Sequence, residues 1–316
     1  NDRYAINPIL LDRIKVIKTN GFSIKQKQVI VKNYIMPNIL KDVGVEDGNI
    51  IISEDIVHYL IETFTRESGV RSIKKILYDI VRFVNLKHLL GTASYPLHVT
   101  KDLCKNEIFK NKEEISHKFI HHNDEIGKIN GLYATNAGYG GITQIEMNFI
   151  PSKEQFLELK LTGNQGKVMK ESMEVAKTNA WNLLSKERQH ELLKYWEKNK
   201  NQGIHIHCPE GATEKDGPSA GTAITIAIYS LLANIKIKHN VTITGEIDLS
   251  GNVLEIGGLQ SKLFGAKKAG CNTVIIPKEN EKTLQKIVRE HPDLIDEKFN
   301  VIPVSKVQDV QKLILV

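Results

Sequence analysis

The chain has 316 residues, enough for about two domains that each bury a core of their own. Hydrophobic residues make up 41% of the sequence and charged residues 25%, a globular composition that excludes a disordered chain or a disulfide-stapled mini-protein. The net charge of +6 is divided evenly between residues 1–127 and the remainder, which argues against a concentrated nucleic-acid-binding face.

The cysteine pattern indicates the redox compartment of the protein, and the longest apolar segment indicates whether a membrane helix is expected. Cys104, Cys208 and Cys271 are an odd number, lie far apart and form no Cys-x-x-Cys pair, which predicts a reducing compartment without a disulfide framework or a zinc knuckle. The longest apolar stretch, residues 223–235, is shorter than the roughly 20 residues of a membrane helix. The first residues include no initiator Met and no signal-peptide pattern, so we expect the chain to be part of a longer protein.

Residues 1–92 are predicted to be helical. Ser23 followed by Gln26 has the pattern of a capping box, and the helix that it begins is expected to end at Pro37. A second helix is predicted to begin near Ser53, and a third to run over residues 71–90. Together these patterns predict a small helical bundle.

Residues 93–127 lose the helical periodicity. Pro96 is followed by a polar stretch from Lys101 to Lys118. Such a charge run is typical of a solvated connector or surface helix, so we predict a linker over residues 93–127.

Residues 128–316 alternate between short strand patterns and helical patterns. Strands are predicted at 142–150, 156–161, 204–208, 241–244, 253–256 and 273–276, and helices at 167–183, 222–232, 260–268 and 278–289. This alternation predicts an α/β (α+β) domain of about 190 residues.

A glycine-rich turn, residues 209–222, delivers Ser219 to the start of an apolar helix. Backbone N–H groups are unpaired at a helix start and the helix dipole is positive there, so this position can stabilise an oxyanion or hold a phosphate. A serine hydroxyl is a weak nucleophile unless a base accepts its proton. The next question is therefore which base the sequence offers.

Two different bases fit the pattern. Residues 217–221 match the G-x-S-x-G sequence of α/β-hydrolases, with Asp248 and His291 in the required order, although a polar loop separates them from the preceding strand. Lys262 lies in the first turn of a predicted helix, where burial can lower the pKa of its amine enough for general-base catalysis. A lysine at that position is also typical of a solvated helix surface.

Two further interpretations of this part of the sequence require no general base. A Gly-Ser loop at a helix start can cradle a nucleotide phosphate, as in small-molecule kinases of the galactokinase and mevalonate kinase type, and Ser219 would then be a hydrogen-bond donor. His205 and His207 lie on one face of a predicted strand as two potential metal ligands. No third ligand follows at suitable spacing, and paired strand histidines are usually structural, so no metal site is predicted.

Two long motifs carry a family resemblance. Residues 205–221 and residues 244–263 resemble the proteolytic domain of Lon, the ATP-dependent serine protease family. The similarity extends back to Gly163 and forward to Val304, so it covers essentially residues 128–316, and its motifs occur in the family's order.

The resemblance implies a role for each matching residue. Ser219 is implied as the nucleophile and Lys262 as its general base. Thr244 is implied as the partner that orients the lysine amine, and Asp216 as a neighbour whose loop differs between open and occluded sites. The remaining supporting residues are Glu246, from the same motif as Thr244, and Ala220, whose backbone N–H is a natural oxyanion donor together with that of Ser219.

The helical bundle resembles the small α-helical subdomain of the Lon AAA+ ATPase. Arg13 matches the stretch that carries the arginine finger, and Arg71 matches the sensor-2 arginine that contacts the nucleotide. The sequence contains no G-x-x-x-x-G-K-[ST] segment and no Walker B strand, so this chain alone is not expected to hydrolyse ATP.

The resemblance therefore predicts an ATP-dependent serine endopeptidase that degrades unfolded or degron-tagged proteins in protein quality control. Peptide-bond chemistry in this chain needs no cofactor, whereas ATP and Mg²⁺ are implied for the full-length protein, which is expected to be a homohexamer. The expected location is the cytoplasm, or the mitochondrial matrix in a eukaryote, without membrane association. Two other readings stay open: a proteolytically silent nucleotide-binding module of the same fold, and weak DNA binding suggested by a pI near 8.9.

Overall fold

The computed structural model describes residues 6–15, 17, 21–65, 67–115, 118–135, 138–152, 156–209 and 215–316. The chain divides into two compact units, Asn1–Ser116 and His117–Val316. The first is mainly helical, and the second combines helices with a mixed sheet. The predicted fold class, a helical bundle followed by an α/β domain, is confirmed.

The first unit packs its helices around one apolar core. Helix α5 supplies much of this core, because its buried residues recur at helical spacing along one face. The elements are α1 (Pro8–Leu11), α2 (Ile24–Ile30), a π-helical turn (Val31–Ile35), α3 (Met36–Val43), α4 (Glu54–Phe64), α5 (Arg71–Leu89), a second π-helical turn (Leu103–Ile108), and the parallel pair β1 (Ile50–Ile51) and β2 (Leu97–His98).

The predicted helix starts are confirmed, and one predicted end is wrong. Ser23 and Gln26 form the expected capping box before α2, and the Ser53 side chain accepts a hydrogen bond from the backbone N–H of Ile56 at the start of α4. Pro37 does not end its helix. The chain continues through the π-helical turn into α3, where Pro37 lies in the first turn and its missing N–H is tolerated.

Residues 93–127, interpreted above as a linker, contribute to both units. Val99, Cys104 and Phe109 are buried in the core of the helical unit. Further along, the backbone N–H of Ile120 donates to the carbonyl of Ala269 in the second unit.

Seven described strands form the main sheet of the second unit, in the order β11-β10-β7-β3-β4-β6-β5. The β3–β4 and β4–β6 pairs are antiparallel, and the other neighbours are parallel. The strands are β3 (Lys128–Ala134), β4 (Gly140–Pro151), β5 (Leu159–Thr162), β6 (Gln202–His207), β7 (Val241–Ile243), β10 (Thr273–Pro277) and β11 (Asn300–Val304), beside the small pair β8 (Glu246–Ile247) and β9 (Val253–Leu254).

Helices cover both faces of this sheet, so each face buries its own apolar cluster. Helices α6, α8 and α11 contribute to one cluster, and α9 and α10 to the other. The helices are α6 (Lys167–Leu183), α7 (Lys186–Asn199), α8 (Gly221–Ala233), α9 (Leu259–Lys268), α10 (Glu281–Glu290) and α11 (Val307–Ile314). Helix α8 is buried almost all round, as its continuous apolar sequence predicts.

In the described part of the chain, no helix combines the length and apolar character that a membrane span requires.

Candidate active site

Ser219 lies where the sequence places it, at the start of the central helix. It is the middle residue of a 3₁₀ turn, Pro218–Ala220, which leads directly into α8. The turn begins after Gly217, whose φ of 105° favours glycine. Ser219 is half-buried rather than enclosed.

The peptide groups on both sides of Ser219 are held by hydrogen bonds. The Ser219 carbonyl accepts from the backbone N–H of Gly245 at 2.8 Å and from the Thr244 hydroxyl at 3.2 Å. The preceding carbonyl, that of Pro218, accepts from the Ser172 hydroxyl at 3.4 Å. The backbone of the Pro218–Ala220 turn is therefore anchored both to the β7–β8 loop and to helix α6.

Two glycines permit this close packing. A Cβ added at Gly221 would lie 2.7 Å from the Ser172 hydroxyl oxygen, and one added at Gly245 would lie 2.6 Å from a Val253 methyl carbon. A Cβ at either position would therefore force the Ser172 or the Val253 side chain to move. The close approach of α6, α8 and the β7–β8 loop thus explains why glycine occupies positions 221 and 245.

Lys262 is buried in the first turn of α9. Its side chain is only 3% exposed, and its Nζ donates to the Thr244 hydroxyl at 3.0 Å. Burial lowers the pKa of the amine from 10.5 to about 8, because desolvation disfavours the charged form. The alternative of a solvated surface lysine is therefore wrong.

Thr244 connects the lysine to the serine turn through one hydroxyl. The single proton of this hydroxyl forms the hydrogen bond to the Ser219 carbonyl, so the hydroxyl oxygen accepts a hydrogen bond from the Lys262 amine. A neutral amine that donates one hydrogen bond to Thr244 keeps its lone pair for another partner. The direction of these hydrogen bonds thus fits a lysine that accepts a proton.

The other supporting residues surround the same turn. The Asp216 carboxylate accepts from the backbone N–H of Met169 at 3.1 Å, in the first turn of α6. Glu246 begins β8, and its carbonyl faces the Thr222 hydroxyl at 3.5 Å. Ala220 is the residue immediately before α8, where backbone N–H groups lack helical partners.

The histidine alternative is not favoured by the contacts of its two members. The Asp248 carboxylate accepts from the backbone N–H groups of Ser250 and Asn252, both at 2.9 Å. His291 is hydrogen-bonded to the Gln260 side chain at 3.0 Å. Both side chains thus have local structural partners of their own.

The paired strand histidines share one partner. His205 and His207 each contact the Thr162 hydroxyl at 2.8 Å through a ring nitrogen. This arrangement supports a structural role. Across the described residues, no group of three His, Cys, Asp or Glu side chains is arranged to hold a metal ion.

Arg13 and Arg71, the two arginines that the resemblance links to the nucleotide, are exposed. Arg13 follows α1, with its backbone N–H bonded to the Leu10 carbonyl, and Arg71 is the first residue of α5. The Glu67 carboxylate accepts from two backbone N–H groups in the first turn of α5 and so caps this helix.

The hydrogen bond from the Ser172 hydroxyl to the Pro218 carbonyl was not predicted from the sequence. Ser172 lies on the buried face of α6, between Met169 and Met173 and one turn before Ala176. A polar residue on a mostly apolar helix face is the signal that identifies it, because a buried hydroxyl needs a partner.

Comparison with known proteins agrees with this architecture. Residues 100–316 match the Lon protease (S16) C-terminal proteolytic domain, and residues 41–97 match the Lon protease AAA+ ATPase lid domain. The chain is 38% identical to the Lon protease of Rickettsia bellii over 97% of its length and 38% of that protein. It is 36% identical to the Lon protease of Buchnera aphidicola, covering 97% of the chain and 38% of that protein. A Lon protease homolog of Acanthamoeba polyphaga mimivirus is 33% identical, covering 98% of the chain and 35% of that protein.

The chain thus spans a little over a third of the length of these relatives. Residues 41–97 of its helical unit match the lid, and its α/β unit lies within the match to the proteolytic domain. On this evidence of sequence and fold, the chain belongs to the Lon protease family.

Proposed function

We propose that the chain is the lid and proteolytic part of an ATP-dependent serine endopeptidase, in which Ser219 and Lys262 form the catalytic dyad. The observation that carries this proposal is the buried Lys262 amine. Its pKa is lowered to about 8, and it is bonded to the Thr244 hydroxyl that also holds the Ser219 carbonyl.

The lowered pKa makes the lysine an effective base near neutral pH. At pH 7 about one molecule in ten has a neutral amine when the pKa is about 8, against about three in ten thousand at the ordinary value of 10.5. General-base catalysis is most efficient when the pKa lies near the working pH. Desolvation of Lys262 thus provides a base that can accept the proton of a serine nucleophile near neutral pH.

Acylation begins when the Ser219 oxygen attacks the scissile carbonyl and its proton passes to neutral Lys262. Backbone N–H groups at Ser219 and Ala220 stabilise the oxyanion at the start of α8. The intermediate collapses, the C–N bond breaks, and the leaving amine takes the proton from Lys262. Water then attacks the acyl-enzyme and gives one proton to Lys262, which returns it to Ser219 as the acid product leaves.

Asp216 and Glu246 have positioning roles in this proposal. The Asp216 carboxylate bonds to the first turn of α6, which holds the residues before Ser219 against that helix. The Glu246 backbone pairs with Leu254 in the β8–β9 ladder and so supports the loop that carries Thr244.

The full-length protein is proposed to act on unfolded proteins. In this scheme an ATPase ring of six subunits delivers the substrate, and Arg13 and Arg71 act on the bound nucleotide. ATP and Mg²⁺ would bind in a part of the ATPase that this chain lacks, since the sequence contains no G-x-x-x-x-G-K-[ST] segment. The chain itself contributes the peptide-bond chemistry.

The direct test is hydrolysis of a fluorogenic peptide and an unfolded model protein, without ATP, by the native chain and by Ser219→Ala and Lys262→Ala. We expect both variants to lose at least about a thousandfold in kcat. Circular dichroism should show the same fold in all three proteins. Retained turnover in a folded Lys262→Ala variant would overturn the dyad, and a phosphate-binding module would instead keep its nucleotide affinity in that variant.

A further inference from the structure

Two glycines lie where the β3–β4 hairpin meets helix α9. A Cβ added at Gly140 would lie 2.1 Å from the Ser261 carbonyl oxygen. A Cβ added at Gly265 would lie 2.5 Å from both the Gly140 carbonyl carbon and the Gly141 nitrogen. All of these are backbone atoms, which cannot rotate away as a flexible side chain does. Helix α9 therefore rests directly on the hairpin backbone.

This contact involves the turn of α9 that carries the lysine. Ser261 precedes Lys262, and its hydroxyl donates to the Gly138 carbonyl at 2.9 Å. The backbone nitrogen of Lys262 itself lies 3.0 Å from the position of a Gly140 Cβ. Ser261 and Gly265 are one helical turn apart, so they face the hairpin together.

The remainder of α9 is fixed by apolar packing. Leu259, Leu263 and Ala266 are buried in the cluster that includes Leu132 of β3 and Ile142 of β4. The helix is therefore held against the same two strands by side-chain packing and by the glycine contact.

We propose that Gly140 and Gly265 are positioning residues for the general base, because the backbone contact that they permit sets the depth at which Lys262 is buried. This inference rests on the proposed Ser219–Lys262 dyad. It assigns the two glycines a role in the reaction that is separate from stabilising the fold.

A methyl group at Gly265 would move the helix away from the hairpin. Carbon atoms in contact are separated by about 3.5 Å or more, so the 2.5 Å contact requires a displacement of about 1 Å. Water would then approach the Lys262 amine, and its pKa would rise from about 8 toward 10.5, since desolvation is what lowers it. Alanine favours a helix more than glycine, so the substitution does not weaken α9 itself.

The test is the pH dependence of kcat/KM for peptide hydrolysis by the full 316-residue chain. Gly265→Ala is compared with Gly257→Ala, which lies in the turn before α9 and where an added Cβ meets nothing within 4 Å. We expect the midpoint of the kcat/KM pH profile of Gly265→Ala to shift to higher pH by about one pH unit. This shift lowers kcat/KM at pH 7 about tenfold. Activity should be recovered above the new midpoint, and Gly257→Ala should keep the native midpoint.

A second variant keeps the test decisive if Gly265→Ala does not fold. Ser261→Ala removes the hydroxyl that is bonded to Gly138, with no added volume, and we expect a smaller shift in the same direction. An unchanged midpoint in the folded variants, with or without a uniform loss of activity, would overturn the inference. Lys262→Ala is measured alongside, because turnover in that variant would instead contradict the proposed dyad.

Discussion

The Lys262 amine shows how a buried ionisable group can oppose stability. Its folded-state pKa of about 8 lies below the ordinary value of 10.5, so between these values the unfolded chain binds more protons than the folded chain. Stability from this group therefore increases as pH rises through that window. Below about pH 8 the buried charge destabilises the fold by an amount on the order of 3 kcal/mol.

Replacing the lysine by an apolar residue of similar length is therefore expected to stabilise the proteolytic unit. At pH 7 the Lys262→Met variant should gain up to about 3 kcal/mol in the free energy of unfolding, and the gain should disappear above about pH 10.5. Urea unfolding followed by tryptophan fluorescence measures it, because both tryptophans, Trp181 and Trp196, lie in this unit. The matched control is Lys282→Met on the exposed side of α10. A gain that does not vary with pH would refute this account.

Thr244 is expected to act through the orientation of the lysine. Thr244→Val removes the hydroxyl that accepts from Lys262 and donates to the Ser219 carbonyl, so kcat should fall about 10- to 100-fold with little change in KM. Thr244→Ser keeps the hydroxyl and should restore most of kcat. Steady-state kinetics on a peptide substrate decides the question, and a serine variant no better than the valine variant would exclude the orienting role.

At the scale of elements, the contact between α6 and α8 holds the serine turn. Gly221→Ala would place a methyl carbon 2.7 Å from the Ser172 hydroxyl oxygen and 3.0 Å from an Ile247 methyl carbon. We expect a loss of about 1–3 kcal/mol in the free energy of unfolding. Combining it with Ser172→Ala removes one of the two clashing atoms and should recover part of the loss. Additive losses in this double-mutant cycle would show that the two positions do not interact.

Several elements could be predicted from the sequence because local signals specify them. Helix α6 has the predicted bounds, residues 167–183, since its apolar face and flanking glycine and serine agree. Helix α7 could not be predicted in this way, because it buries only Gln189, Leu192 and Trp196 and is charged over most of its surface. The continuation past Pro37 was missed because a π-helical turn leaves no clear mark in the sequence.

The candidate site could be predicted from the sequence only in part. The position of Ser219 before an apolar helix follows from its motif, but the burial of Lys262 does not. Helix α9, which carries Lys262, packs against the backbone of Gly140, more than a hundred residues earlier in the chain, and no local pattern reveals this contact. The family resemblance was therefore needed to select the lysine over the alternatives.

At the scale of the whole molecule, the chain combines a lid unit with a proteolytic unit, each with its own core. The sequence has no phosphate-binding loop, so added ATP and Mg²⁺ should change the rate of peptide hydrolysis by this chain less than twofold, and no phosphate should be released. Parallel assays of fluorescence and inorganic phosphate measure both. Stimulation by ATP, absent from an Arg71→Ala variant, would show that the lid engages nucleotide unaided.

Labelling the native chain with a fluorophosphonate, and locating the adduct by peptide mass spectrometry, shows whether Ser219 is the nucleophile and Lys262 its base. The account predicts an adduct on Ser219, formed at a rate that rises with pH around a midpoint near 8, the lowered pKa of Lys262. Labelling of Lys262→Met should be at least about a hundredfold slower. An adduct on another serine, or labelling of Lys262→Met at the native rate, would contradict it.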